Sequence, residues 1–277
     1  MDRQPLTDRL GDRLLSKYGG AAAAYSLRAL NGNGDNVVRV RRASDNDEKD
    51  FTAEQIELGE MVNWVTEESA TADGFVETWY DQSGNGRDAT QATTTNQPQI
   101  VASGALVTDA NGNPAIDFDG TKSLYGATLP MVFVLRVLKY DSAASVYNDS
   151  STRVVSNQGV SFDNQSNLYR SRSFGSLGGI NVGVSVIGTL TQSVVTSRHV
   201  NENFAVWVNG ADHGTSTSDI GFVAESTQPL RIGGKTGNSG GSDFDGQFSE
   251  YLVWGIDQTA NRTAIEGNIN AHYNIYP

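Results

Sequence analysis

The sequence predicts a two-sheet β-sandwich with a few short peripheral helices, and three observations support this fold class. From Ala89 onward, short apolar or alternating segments are separated by turn residues about every ten positions, which is typical of strands and tight connections. The 277 residues include 30 glycines but 6 prolines, a composition that suits short strands. Residues 131–140 are almost continuously apolar and predict a central strand buried on both faces. Because no linker or repeat divides the chain, we expect one sandwich domain over residues 21–277.

Residues 1–20 precede this domain as a predicted helical segment. Four apolar residues, spaced four apart, would share one face of a helix over residues 5–18: Leu6, Leu10, Leu14 and Tyr18. That spacing indicates an amphipathic helix. Its apolar face could dock on a partner protein, or it could lie against the chain's own domain.

A second helix is predicted over residues 53–67, because Thr52 and Gln55 have the spacing of a capping box. Before it, residues 38–41 alternate between apolar and basic side chains, as a half-buried strand would. The basic residues of that strand could form a site for an anion or an acidic sugar. Alternatively, they pair with the acids of residues 45–48.

The stretch Trp79 to Gly86 joins a predicted buried strand to a tight loop. Gly84, Asn85 and Gly86 supply turn chemistry, because glycine and asparagine tolerate positive φ. Asp81 is expected to accept hydrogen bonds from amides of its own loop. We interpret these four residues as a structural turn.

The remaining chain alternates between strand and turn signals. Further strands are expected at residues 98–101, 115–119, 154–155, 160–162, 168–169, 182–187, 193–199, 204–209, 230–232 and 246–254. A closing helix is expected at residues 259–273, with Ala264, Ile265, Ile269, His272 and Tyr273 on one side. Trp207 and Trp254 lie in strand patterns and are expected in the core.

Composition excludes several classes of function. The net charge of −12 argues against nucleic acid as a partner. Without cysteine there is neither a disulfide nor a thiolate zinc site. No apolar run approaches the ~20 residues that span a bilayer, and the first residues lack the apolar core of a secretion signal. We therefore expect no membrane insertion, and either a cytoplasmic location or export inside a virus particle.

Candidate functional residues are few. Asp243 and Asp245 lie two apart, as do Asp117 and Asp119. Each pair could act as a general acid and base or bind Ca²⁺, but a turn-flanking role explains them more simply. Tyr147 and Tyr169 are expected in polar loops and could serve as flat platforms for sugars. No cofactor is required by any motif, and calcium is the one ion for which the sequence offers ligands.

Several segments resemble the catalytic domain of fungal-type α-L-arabinofuranosidase B. They are Ala24-Tyr25-Ser26-Leu27-Arg28, Val40-Arg41-Arg42, Ser44-Asp45-Asn46, Tyr80 to Gly86, Ala89 to Ala92, Gln97-Pro98, Ile232-Gly233-Gly234 and Phe248-Ser249-Glu250. The later half also resembles concanavalin A-like and laminin-G-like lectin modules. The resemblance implies a concanavalin A-like jelly roll.

The family's reactive acids are not found at the matching positions. Its nucleophile is a Glu in an Asp-Leu-Glu-Asn-Gly motif, whereas this sequence contains no Glu between Glu77 and Glu202. Its acid/base is an Asp after Ile-Gly-Gly, where this sequence has Lys235. An ammonium group cannot protonate a leaving group as a carboxylic acid does. We therefore expect no catalysis by this route, with a hydrolase that uses relocated carboxylates as the alternative.

The combination of jelly roll and terminal helix also resembles virion proteins of tailed bacteriophages. That likeness implies a structural or adhesin role, either as a capsid or tail decoration or as a fibre-like protein that touches host glycans. Expected partners are other virion proteins, reached through residues 5–18, and further copies of the chain. A cellular lectin-like module is a third hypothesis.

Overall fold

The chain forms a mainly antiparallel β-sandwich with short peripheral helices. The computed structural model describes residues 13–141, 159–165, 168–175, 178–187, 191–200, 203–217, 225–233 and 244–277. The strands are β1 Ala21–Ser26, β2 Asn36–Arg42, β3 Glu48–Thr52, β4 Gly74–Trp79, β5 Ala89–Thr90, β6 Gln99–Ala102, β7 Ala105–Leu106, β8 Ile116–Asp119, β9 Leu124–Pro130, β10 Phe133–Tyr140, β11 Gly159–Gln165, β12 Leu168–Gly175, β13 Gly178–Ile187, β14 Ser193–Val200, β15 Asn203–Val208, β16 Ala211–Thr217, β17 Glu225–Ile232 and β18 Asp245–Trp254. The helices are α1 Leu14–Lys17, α2 Ala53–Glu57, α3 Glu60–Val65 and α4 Arg262–Tyr273, with 3₁₀ turns at Thr94–Asn96 and Thr259–Asn261. None of the described helices is long and apolar enough to cross a membrane.

Two layers of strands enclose the main core. One layer runs β16-β15-β14-β10-β18, and β18 also pairs with β1 and β8. The other contains β3, β2, β4, β5, β9 and β17, and β6 links it to β8. Side chains from both layers meet in one apolar cluster that includes Val38, Val76, Val134 and Val206. A separate three-stranded sheet is formed by β11, β12 and β13.

A second apolar core lies on the other side of β10 and β18. It joins Phe133 and Leu135 of β10 to Ile265, Ile269 and Tyr273 of α4. Strand β10 is therefore buried on both faces, as its continuous apolar sequence predicts. Arg136, the one charged residue inside this run, is fully buried and donates from Nη1 to Ser197 Oγ at 3.0 Å.

The N-terminal helix is described only in part. Residues 1–12 lie outside the described residues, and α1 covers Leu14–Lys17. Leu14 is fully buried in the second core, and Tyr18 packs against it. These two residues of the predicted apolar face therefore contact the chain's own domain. Docking of residues 5–18 on a partner stays a prediction.

The predicted helix over residues 53–67 is wrong in its continuity. The capping box of Thr52 and Gln55 is present and starts α2. Gly59 then adopts φ 77° and ends that helix, and α3 begins at the next residue. Glycine reaches the left-handed region at little steric cost, so an apolar stripe at helical spacing was compatible with a break.

The closing helix is present, but two of its five assigned residues point outward. Ala264 and His272 are exposed, whereas Ile265, Ile269 and Tyr273 are buried as expected. Glu266 occupies the buried face instead, where Thr196 Oγ1 donates to its Oε1 at 2.6 Å. A buried carboxylate is tolerated there because it is hydrogen-bonded and lies beside Arg262.

Candidate functional site

The loop after β4 is organised around the Asp81 carboxylate. Oδ1 accepts hydrogen bonds from the amides of Ala24 and Ser83 at 2.8 and 2.9 Å. Oδ2 accepts from Ser83 Oγ at 2.7 Å and from the Arg87 amide at 3.0 Å. One side chain therefore ties together its own loop and the first strand.

The neighbouring residues extend this connection. Gly84 and Gly86 have positive φ, 88° and 64°, which favours glycine at both positions. Asn85 keeps an ordinary φ and instead donates from Nδ2 to the carbonyl of Ala21 at 2.9 Å. Gln82 is buried; its Oε1 accepts from the Leu30 amide at 2.8 Å and its Nε2 donates to the Ser26 carbonyl at 2.9 Å. The loop thus fixes the path of residues 21–30.

A buried ion pair joins the start of the chain to its last strand. Arg28 Nε and Nη2 donate to Glu250 Oε2 and Oε1 at 2.8 and 3.1 Å, a bidentate geometry. Ser26 Oγ and Tyr273 OH also donate to Glu250 Oε2, at 2.9 and 3.2 Å. Burial and the nearby Glu250 carboxylate raise the pKa of Tyr273 well above its ordinary range. Because Glu250 is fully buried and its oxygens are occupied, it acts as an anchor of the fold.

The family resemblance includes Arg28 and Glu250, but the sequence does not predict that their side chains are in contact. They are 222 residues apart, and neither local pattern nor spacing carries that information. The only available signal was that both belong to segments of the same resemblance.

A cleft of about 300 Å³ opens beside this ion pair. It is lined by Leu27, Arg28, Ile56, Glu57, Leu106, Gly112, Asn113, Pro114, His272 and Tyr273. Apolar walls with a few polar groups are common in pockets for small molecules. Of the residues singled out from the sequence as catalytic, as sugar platforms or as metal ligands, the three whose side chains the structure describes, Asp117, Asp119 and Asp245, do not line this cleft.

Four aspartates gather where β8 meets β18 and β10. Asp119 is directly opposite Asp245, and Asp117 is opposite Gln247 in the same ladder. Lys122 and Lys139 form ion pairs with Asp119 and Asp141 at 3.2 and 2.6 Å. Partial burial, followed by the charges of Asp141, Asp119 and Asp245, raises the pKa of Asp117 to about 6.

Within the described part of the chain, no three potential metal ligands converge closely enough to hold an ion. Asp245 faces Asp119, while Asp243, its proposed partner for calcium, lies outside the described residues. Calcium binding by Asp243 and Asp245 therefore stays a prediction.

Of the two tyrosines selected as sugar platforms, one is placed by the structure, and it lies on a strand rather than in the predicted polar loop. Tyr147 lies outside the described residues, and Tyr169 lies on β12 opposite Asn164 and Val186, with its side chain undescribed. Trp207 and Trp254 are buried, in agreement with a core role.

The basic cluster on β2 is used for internal pairing, although not always with the expected acids. Arg42 Nη2 lies 2.6 Å from Asp45 Oδ2, within the predicted acidic run. Arg39 pairs with Asp50 instead, and Arg41 donates to the neutral side chains of Gln97 and Asn46 at 2.7 and 2.9 Å. Arg41 and Arg42 are both buried, so neither forms an open anion site.

Comparison with known proteins gives a structural likeness alone. No family model matches the chain, and no curated protein matches its sequence. Among solved structures, an arabinofuranosidase complexed with arabinofuranosyl-α-1,2-xylobiose superposes with a TM-score of 0.66 at 14% identity. A GH54 α-L-arabinofuranosidase soaked with a cyclic sulfate inhibitor gives 0.67 at the same identity. Each match covers 95% of this chain and 65% of the other chain. The fold is that of the arabinofuranosidase sandwich.

At 14% identity the likeness concerns the backbone, so individual residues of this sandwich must be judged by their own contacts. Gly233, in the Ile-Gly-Gly segment, has φ +87°, and a Cβ there would lie 2.2 Å from Phe118 Cδ1. Its amino-acid type is thus fixed by packing. Like Asp81, Arg28 and Glu250, Gly233 therefore belongs to the framework of the sandwich.

Proposed function

We propose that this protein is a non-catalytic carbohydrate-binding module on an arabinofuranosidase-like sandwich. The proposal rests on the difference between the motif residues that hold the fold together and the residue at the position of the family's acid/base. The motif residues Asp81, Arg28 and Glu250 are retained as internal anchors, while Lys235 occupies the position that matches the family's acid/base. A scaffold kept without a proton donor at that position can bind a sugar but lacks the group that would protonate its leaving oxygen.

The test combines hydrolysis and binding. Purified protein is incubated with aryl α-L-arabinofuranosides and with arabinan and arabinoxylan, and released phenol and reducing ends are measured. Retardation in native gels containing the same polysaccharides reports binding. We expect retardation without turnover. Turnover that scales with protein concentration and survives repurification would contradict the proposal.

We further propose that the module is a structural or adhesin component of a bacteriophage particle, as a capsid or tail decoration or a fibre-like protein. Its support is the resemblance of the jelly roll with its terminal helix to virion proteins. Assembly would use residues 5–18 and self-association. Mass spectrometry of purified particles should detect the protein at a fixed ratio to the capsid protein. Its absence from the particles would refute this location.

A glycoside hydrolase with relocated carboxylates is the second candidate, and one observation favours it. The pKa of Asp117 is raised to about 6, which suits a general acid near neutral pH. Asp119 lies two residues along the same strand, and Asp245 lies on the adjoining strand β18. If this candidate is correct, Asp117→Asn abolishes turnover of a host polysaccharide, whereas Asp35→Asn, at an exposed loop position, leaves it unchanged. Equal rates for both variants would remove Asp117 from consideration.

A further inference from the structure

The solvent side of the β3-β2-β4-β5-β9-β17 layer carries an unbroken row of polar and aromatic side chains. Each member is directly opposite the next in the strand ladders. The row, named here the outer strip, consists of Asp50, Arg39, Thr78, Thr90, Tyr125 and Arg231. Because directly opposed residues project on the same side of a sheet, these six share one face.

The burial of their chain neighbours shows that this face points away from the core. Eight of the twelve residues adjacent to the strip in sequence belong to the main apolar cluster: Phe51, Val38, Val40, Trp79, Ala89, Leu124, Leu230 and Ile232. Side chains alternate along a strand, so the strip residues project outward. Five steps between strands at ~4.8 Å each give the strip a length of ~24 Å.

Tyr125 is the most prominent member of the strip. Its side chain is 43% exposed, and it is the one aromatic among the large hydrophobic residues that the structure describes as exposed. The Arg231 guanidinium lies 5.2 Å from its ring centroid, a cation–π contact that holds the ring in place. The flat ring can stack on the apolar face of a pyranose or furanose.

The other members supply fixed hydrogen-bonding groups. Arg39 Nε and Nη2 donate to Asp50 Oδ1 and Oδ2 at 2.7 and 3.0 Å, and Tyr80 OH donates to Oδ1 at 2.8 Å. Thr78 Oγ1 donates to Glu77, which lies beside it at an irregularity in the ladder. Thr78 is itself covered by its neighbours and only 6% exposed, so it contributes to the floor of the strip, whereas Thr90 is exposed. Groups held on a rigid sheet lose little conformational entropy when a ligand binds.

The charges of the strip indicate the class of ligand. Arg39 and Arg231 balance Asp50 and the adjoining Glu77, so the strip together with Glu77 has no formal net charge, while the whole chain carries −12. An anionic polysaccharide would be repelled by that overall charge. The geometry points to a neutral, extended oligosaccharide that lies across the strands along the outer strip, with one sugar stacked on Tyr125. This inference rests on the proposed carbohydrate-binding function and names its site and ligand class.

The experiment is affinity electrophoresis of the whole chain in gels containing soluble arabinan, arabinoxylan or β-glucan, with polygalacturonate as the acidic comparison. Tyr125→Ala removes the ring, and Thr90→Arg blocks the adjacent exposed position. Tyr125→Phe keeps the ring, and Ile256→Ala removes a side chain that is 60% exposed but lies after β18, off the strip. Circular dichroism and melting curves verify that each variant is folded.

We expect binding of at least one neutral polysaccharide, about tenfold or more weaker in Tyr125→Ala and Thr90→Arg, and unchanged in Tyr125→Phe and Ile256→Ala. If Tyr125→Ala and Thr90→Arg bind as the parent does, the outer strip is not the site, although the proposed function stands. If the parent binds none of the four polysaccharides, the binding function and the strip both fail. Preference for polygalacturonate would overturn the neutral ligand class.

Discussion

Asp81 offers a sharp test of the view that the motif residues are framework, and its replacement by alanine should destabilise the fold by about 3 kcal/mol. The carboxylate accepts four hydrogen bonds, three of them from backbone amides. Ala24 is fully buried, so its orphaned amide costs ~1–3 kcal/mol. The donors of Ser83 and Arg87 lie in the loop and can be hydrated, at ~0.5 kcal/mol each.

Asp81→Asn should cost less, about 1–2 kcal/mol. Its amide oxygen can still accept from the amides of Ala24 and Ser83. The side-chain nitrogen of the asparagine would then replace the oxygen that accepts from the Arg87 amide, so that two N–H donors would face each other. The Ser83 hydroxyl can rotate and accept a hydrogen bond from this nitrogen. The expected order of stability, with Asp81→Ala least stable, Asp81→Asn intermediate and the parent most stable, therefore follows from the hydrogen bonds of a single side chain.

The assay is urea unfolding followed by tryptophan fluorescence, because Trp79 and Trp254 are fully buried and report on both ends of the network. Asp35→Asn is the matched control: it changes the net charge equally, at an exposed position. If Asp81→Ala unfolds within about 0.5 kcal/mol of this control, the assignment of Asp81 as an anchor is refuted, since ordinary surface changes fall within that range.

Three further predictions concern other parts of the sandwich. Glu250→Gln leaves the partly buried Arg28 without its counter-charge and should cost about 3 kcal/mol, the lower end of the range for a buried pair, because the Arg28 side chain is 12% exposed. Replacing both residues by apolar side chains should restore part of that stability in the same urea assay. Asp117 has a pKa of about 6, above the ~3.9 of an unfolded aspartate; its contribution to stability is present below that unfolded value and is lost as pH rises through 6. Asp117→Asn should thus stabilise the protein by about 1–2 kcal/mol at pH 8 and by little at pH 4, and equal gains at both pH values would contradict the assignment. Gly233→Ala should lower the melting temperature far more than Gly112→Ala. Both glycines have φ above +80°, but open space surrounds only Gly112. Equal losses would show that backbone strain, and not the contact with Phe118, determines the loss of stability.

The fold class could be predicted from sequence because its signals are local. Turn residues at short intervals, the apolar run of β10 and the apolar spacing in α4 each report on a few neighbouring residues. The partners of the strands are set by contacts between distant segments. Thus β1 pairs with β18, bringing Ser26 opposite Glu250, and no local pattern contains that pairing.

The candidate site was less accessible to sequence reasoning for a related reason. Tyr125 lies in the short segment 124–130, where mixed apolar and polar residues give no strand signal. The sequence therefore does not indicate Tyr125 as a binding residue. Its exposure and its position beside Arg231 arise from the order of strands β5, β9 and β17. The buried state of Arg41 was likewise hidden, because basic residues are exposed in most proteins.

The position of β18 has a consequence for how the protein is made. This strand lies between β10 on one side and β1 and β8 on the other, yet among the described strands of the sandwich it leaves the ribosome last. Until residue 254 emerges, its future neighbours have unpaired edges and uncovered apolar side chains, a state prone to aggregate. Nascent chains stalled before β18 should therefore need chaperones, and shortened products that lack it should accumulate in inclusion bodies.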